Sequence, residues 1–392
     1  MKPAAKRWWT LAALALSMCL STGFAPQSLL LSQDAPPTAP ACKFCKSTGR
    51  EVCSEHPAGE CESEDGVLYC SHIADCKVCA GTGWVVCREC KSDVAQAALD
   101  KKKADIEKRR IALKALDGKM DRELCKVETK HFILVWELER IKVDKKFLNQ
   151  HEGMHLYAVR LERLYDDYCA RQKLVDKDFR EKFKVFVWGW PKDHEAGALA
   201  FCGQNASGGV KLMGSTPAYS VCGNKRNFND DDLLHRNIVH SVTHLMLSAQ
   251  QFPAWMGNVK GGWCDEGLSH WFEDRYWGIC DNYCYQESNS NVDFKGGKFR
   301  LAVRKLIETD KVPPAPQVFE RTSDTLTLPE HAVAFSYVDY FLSRDGEKFK
   351  ALCAELKRKV HTRDALKKVY DLSVMEFEAL WKAWVLQTYP TK

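Results

Sequence analysis

The chain has 392 residues, 45% hydrophobic and 28% charged, a balance that supports a buried core and excludes a disordered chain, a collagen and a small disulfide scaffold. Its formal charge of +5 is too small to make a nucleic-acid surface, and no basic tail accompanies it. Eighteen cysteines are many for this length, and nine of them lie between positions 42 and 90.

Lys2, Lys6 and Arg7 precede an apolar run from Trp8 to Leu20, thirteen residues long. That is short for a bilayer span but suits the core of an export signal, with cleavage expected between Ser21 and Ala25. Met18 stands where a lipoprotein signal at Cys19 would need a small residue. Residues 1–25 are therefore expected to be a signal peptide, and the protein to be exported, periplasmic or extracellular. No later stretch approaches eighteen apolar residues, so the mature chain is expected to carry no membrane span. Residues 26–41 are rich in Pro and Ala near their end, which suits an extended linker.

Residues 42–90 form a cysteine-rich module. Cys76-Lys-Val-Cys79-Ala-Gly-Thr-Gly83-Trp-Val-Val-Cys87-Arg-Glu-Cys90 is two C-x2-C pairs separated by a glycine turn. Each pair presents two thiolates from one tight turn, and Gly81 and Gly83 allow the backbone to bring the second pair round to complete a tetrahedron. A degenerate copy, Cys42-Lys-Phe-Cys45-Lys-Ser-Thr-Gly49-Arg-Glu-Val-Cys53-Ser-Glu-His56, repeats the spacing with His56 as its last ligand. The segment resembles the DnaJ-type cysteine-rich zinc finger, whose repeat is C-x-x-C-x-G-x-G, although Lys46-Ser47 depart from that pattern in the first copy. The resemblance implies structural zinc on Cys42, Cys45, Cys53, His56, Cys76, Cys79, Cys87 and Cys90, without saying which four share an ion. The alternative is a disulfide framework, since exported cysteines normally oxidise. Cys61 and Cys70 are left over and are a candidate disulfide. A thiol oxidoreductase is disfavoured because no thioredoxin-like βαβ context surrounds the C-x2-C pairs.

Residues 91–125 are strong helix formers with alternating charge, expected as a solvated helical spacer. From 126 to 392 the pattern becomes mixed. His131–Trp136 and Phe183–Trp190 have the apolar character of buried strands, with shorter strands at Val210–Met213 and Tyr219–Cys222. Helical spacing marks His151–Tyr168, Leu233–Ser248, Cys264–Trp277, Phe299–Glu308, Ala332–Ser343, Glu347–Val360 and Val374–Gln387. A small sheet followed by a run of helices is an α+β domain.

Two helices carry histidines at i and i+4, the spacing that faces one ion from one helical turn. The first holds a literal H-E-x-x-H, His151-Glu152-Gly153-Met154-His155. Its flanks are polar and Gly153 weakens the helix, which favours an amphipathic helix with two surface or half-buried histidines. The second pair, His240 and His244, lies inside an apolar helix and is followed twenty-two residues later by Glu266. Two histidines from one helix and a carboxylate from the next would make a three-ligand site with an open fourth position.

This second constellation, His240-x3-His244 followed by Trp263-Cys-Asp-Glu266-Gly267-Leu-Ser-His270-Trp-Phe-Glu273, resembles the gluzincin metallopeptidases of the peptidase MA-like group. The resemblance extends from about Val127 to the C-terminus and implies a cleft zinc on His240, His244 and Glu266. Asp265 and His270 are candidates to support that ion, and His270 could also be an extra ligand or a surface residue. Where the family has its catalytic Glu, this chain has Ser241. A hydroxyl does not take a proton from metal-bound water at neutral pH as a carboxylate does, and a positioned base contributes about a hundred- to ten-thousand-fold in rate. The family's tyrosine near the start of the closing helix is not identifiable: Val333-Ala-Phe335 stand there, and neither Tyr337 nor Tyr340 can be given its role.

The expected protein is thus an exported, non-catalytic or weakly active binder of a polypeptide or cell-envelope component, with no nucleic-acid partner. One alternative is an active zinc peptidase using Asp265 or the His151 motif. The other is a structural envelope component without a cleft metal. Cys202, Cys222, Cys264, Cys280 and Cys284 are further candidates for one or two disulfides.

Overall fold

The computed structural model describes residues 42–55, 66–223, 230–284 and 294–392. The expected signal peptide and linker, together with His56 and Cys61, lie outside the described residues. Strand β1 (Arg50–Val52) pairs antiparallel with β3 (Trp84–Val86), laying one copy of the cysteine repeat across the other. Between them run β2 (Tyr69–Cys70) and the short helix α1 (Ser71–Ala74).

Helix α2 (Asp93–Met120) is exposed over most of its length, as a solvated spacer would be, but it also packs along one side. Leu99, Ile106 and Leu113, seven residues apart, form a buried stripe along it. Gly49 and Gly81 of the two repeats press against this helix: a Cβ at Gly49 would come within 2.6 Å of Ala95, and one at Gly81 within 2.9 Å of Ile106. Only glycine allows that approach.

The sheet is mixed and six-stranded, in the order β2-β4-β5-β8-β10-β9. Strands β4 (Lys126–Glu128) and β5 (Phe132–Trp136) are antiparallel, and a hairpin of β6 (Arg140–Val143) and β7 (Lys146–Asn149) leads into helix α3 (Gln150–Gln172). Next come β8 (Phe183–Trp188) and α4 (Pro191–Gly197), then β9 (Val210–Leu212) and β10 (Ala218–Cys222). β5, β8 and β10 are mutually parallel at the centre, and their near-continuous apolar runs follow from burial on both faces. Phe132, Leu134, Val185 and Tyr219 point to the main core with α3, whereas Val135, Phe186, Trp188 and Ala218 meet Phe201, Leu116 and Met120 on the other side. The edge strand β2 pairs with β4, so the cysteine module contributes a strand to this sheet.

The rest is helical: α5 (Asp231–Ala249), α6 (Gly262–Trp277), α7 (Phe299–Glu308), α8 (Ala315–Phe319), α9 (Leu328–Arg344), α10 (Gly346–Lys357), α11 (Thr362–Tyr370) and α12 (Val374–Thr388). The architecture is α+β, as expected. α5 starts where the Asp230 side chain accepts from the N–H groups of Asp232 and Leu233. Beyond its first turn it is buried almost all round, as is α6 over its first three turns, so both are central helices of the core. α6 crosses α9 at Gly267, where a Cβ would lie 2.5 Å from the carbonyl oxygen of Ala334. No helix among the described residues is long and apolar enough to cross a membrane.

Candidate metal centres

Both repeats build the same turn. Lys46 and Ser47 adopt φ of 49° and 64°, matching Ala80 at 48° and Gly81 at 81°, and Gly49 and Gly83 share φ of 74°. The degenerate copy thus keeps the same turn backbone without the leading glycine. The turns bring Cys42 and Cys45 against Cys87 and Cys90, a four-thiol group that could hold a metal ion. Cys42 Sγ is 3.9 Å from Cys87 Sγ and Cys45 Sγ is 3.7 Å from Cys90 Sγ. A tetrahedral ion bound by four sulfurs at about 2.3 Å has edges of about 3.8 Å, whereas a disulfide needs about 2.05 Å. The outer pair of each copy therefore belongs to one four-thiol group with the spacing of such an ion. Cys53, Cys76 and Cys79 form the second group, with Cys53 and Cys76 sulfurs 3.9 Å apart; His56, the remaining one of the eight expected ligands, is outside the described residues.

The cleft centre is assembled by α5 and α6. One helical turn separates His240 from His244, so both Nε2 atoms face the same point, 3.1 Å apart. Glu266 of α6 reaches it with Oε2 3.8 Å from His240 Nε2 and Oε1 3.6 Å from His244 Nε2. A fourth donor completes the group: Cys284 Sγ lies 3.5 Å from His240 Nε2 and 3.3 Å from His244 Nε2. The position expected to be open is filled by a thiol, which in turn accepts from Lys211 Nζ at 3.0 Å.

The far sides of the imidazoles are held by carboxylates. Glu273 Oε1 is 2.5 Å from His240 Nδ1, and Asp265 Oδ1 is 2.9 Å from His244 Nδ1. Such contacts fix each ring so that Nε2 is the donor toward a metal. Burial holds His240 down at about 3, against the pull of Glu273, and lowers His244 and His331 too. The rings are therefore neutral, the form that ligates. Burial alone would raise Glu273, but its hydrogen-bonded pairing with His240 and His270 outweighs it and lowers the carboxyl. His270 stands behind the centre, with Nδ1 3.1 Å from Glu273 and Nε2 3.0 Å from His331 Nδ1. His331, at the start of α9, is 3.6 Å from Glu266 Oε2. Asp265 and His270 thus both sit where they support the ligands.

Ser241 is buried, and its hydroxyl has no hydrogen-bond partner among the described residues. Asp265 Oδ2 accepts from Trp255 Nε1 and Ser323 Oγ, while Oδ1 lies against His244 Nδ1. Tyr337 packs against Trp263, Phe319, Phe377 and Trp381 rather than supplying a group to the centre. A cleft of about 290 Å³ opens over the site between the edge strand β9, which brings Val210 and Lys211, and the loop carrying Trp255.

The literal motif in α3 is differently employed. Asn149 Oδ1 accepts from Glu152 N at 2.9 Å and Glu152 Oε2 accepts from Asn149 N at 2.8 Å, a reciprocal cap that turns the glutamate toward the helix start. Of the other cysteines, Cys264 and Cys353 come to 3.7 Å, and Cys202 and Cys280 face backbone carbonyls. Sequence reasoning missed Cys284 as a candidate donor and gave no role to Glu273 or His331. Glu273 lies two helical turns after Glu266, a readable spacing, but no spacing rule links Cys284 or His331 to the histidine pair. No family model matches the chain, and no curated protein matches it significantly.

Proposed function

We propose that the chain is an exported zinc-binding protein whose peptidase MA-like domain retains a cleft metal but not hydrolysis. The observation that carries this reading is Cys284 Sγ beside both histidine Nε2 atoms. Four protein donors enclose an ion in the manner of structural zinc, whereas hydrolytic zinc keeps a position for water. Ser241 in place of a base adds a second, independent obstacle. The cysteine module supplies two further zinc centres whose binding is coupled to its folding. The cleft beside β9 then serves recognition of a polypeptide or an envelope component.

The test is cleavage of unfolded protein substrates with and without a chelator. The wild type and the Ser241→Glu variant should show none above background, because Cys284 still closes the site. Ser241→Glu combined with Cys284→Ala should gain weak, chelator-sensitive cleavage. Robust chelator-sensitive cleavage by the wild type, abolished by His240→Ala, would overturn the proposal.

A further inference from the structure

We propose that Cys70, His151 and His155 form a separate metal site, taking a zinc-like divalent ion, that ties the cysteine module to the sheet domain. The inference does not depend on the cleft. Period-2 alternation in β2 sends Tyr69 toward Ile106 and Leu113 of α2 and Cys70 toward the core that α3 covers. On α3, the reciprocal cap between Asn149 and Glu152 fixes the first turn, and with it the face on which His151 and His155 stand. The three side chains meet there.

Their donor atoms all lie within 4.8 Å of one another. Cys70 Sγ is 3.6 Å from His151 Nε2, close to the edge of about 3.5 Å that a tetrahedral ion sets between sulfur at about 2.3 Å and nitrogen at about 2.0 Å. One thiolate and two imidazoles select a borderline ion such as zinc over calcium or magnesium, which prefer oxygen. Cys70 and His155 are buried, while His151 borders a cleft shared with Ser71, His72, Asn149 and Gln150. His72 stacks on His151 with ring centroids 4.1 Å apart. The ion would bridge a strand inserted between the two cysteine repeats and a helix of the main core, fixing the orientation of one on the other.

The experiment measures metal content per full-length chain after zinc loading and exhaustive dialysis. His151→Gln, a conservative change at a half-exposed helix start, and Cys70→Ser should each lower it by about one ion, with far-UV circular dichroism unchanged. In the cobalt-substituted protein, Cys70→Ser should also reduce thiolate-to-cobalt charge transfer, and His240→Ala should leave the contribution of Cys70 in place. Unchanged metal content in both folded variants would overturn the proposal, as would peptide mapping that finds Cys70 in a disulfide in the native protein. Because His240→Ala reports on a different ion, failure here and failure of the cleft reading are separately visible.

Discussion

Lys357, at the end of α10, places its ammonium among buried groups and donates to the carbonyls of Leu247 and Gln250 at 3.0 and 2.6 Å. Burial lowers its pKa from 10.5 to about 7. Between those values the unfolded chain holds a proton that the folded chain has released, so stability rises with pH across the window. Below about pH 7 both states are protonated and the fold carries the full penalty, at most about 5 kcal/mol at about 1.4 kcal/mol per unit, with the two carbonyl acceptors offsetting part of it. Denaturant unfolding at pH 6.5 and 9.5 should show the wild type gaining stability, and Lys357→Met should flatten that rise. An equal rise in the variant would place its cause elsewhere. Single residues were unevenly legible in the sequence. Asp265 stood next to a proposed ligand, and its carboxylate lies 2.9 Å from His244 Nδ1. Ser47 looked like a departure from the repeat, yet it holds a φ of 64° in a turn set between the Cys42–Cys45 pair and β1.

At the scale of elements, the site depends on how closely α6 approaches α9. Gly267, directly after Glu266, is where the two helices touch, and a methyl there would meet the Ala334 carbonyl carbon at 2.7 Å and Val338 Cγ2 at 2.9 Å. Backbone cannot yield as a flexible side chain does, so Gly267→Ala should cost about 1–3 kcal/mol by overpacking, measured as a shift of the unfolding midpoint. A variant as stable as the wild type would mean that α9 sits farther from α6. The glycine in the Glu266-Gly267 pair therefore has a packing reason that sequence spacing alone does not express. Long elements were legible because apolar periodicity accumulates with length: the helix expected at Phe299–Glu308 has those bounds, and α5, α6 and α12 lie within two residues of theirs. β2 and β4, of two and three residues, are too short to show a period. α2 hid its buried stripe at Leu99, Ile106 and Leu113 beneath a dense charge pattern.

For the whole molecule, the cysteine module and the α+β domain are interlocked rather than strung together. β2 belongs to the large sheet, α2 packs against both repeats, and Cys70 meets α3. The division at residue 91 marks a change of composition, whereas the physical coupling runs across it. Sequence could show the two histidine pairs and the C-x2-C pairs because each is local. It could not show that Cys284, read as a disulfide candidate, lies at the mouth of the His240 site, since that depends on how a loop after α6 returns over α5.

The central claim is that the cleft holds a metal of its own, on His240, His244, Glu266 and Cys284, in addition to those of the cysteine module. Zinc content per chain of the zinc-loaded, dialysed wild type and of His240→Ala tests it most directly. The account predicts that the variant, still folded, carries about one zinc fewer, given a four-donor site that loses a ligand. Equal zinc content in the two proteins would contradict it and leave the buried histidines as packed core residues.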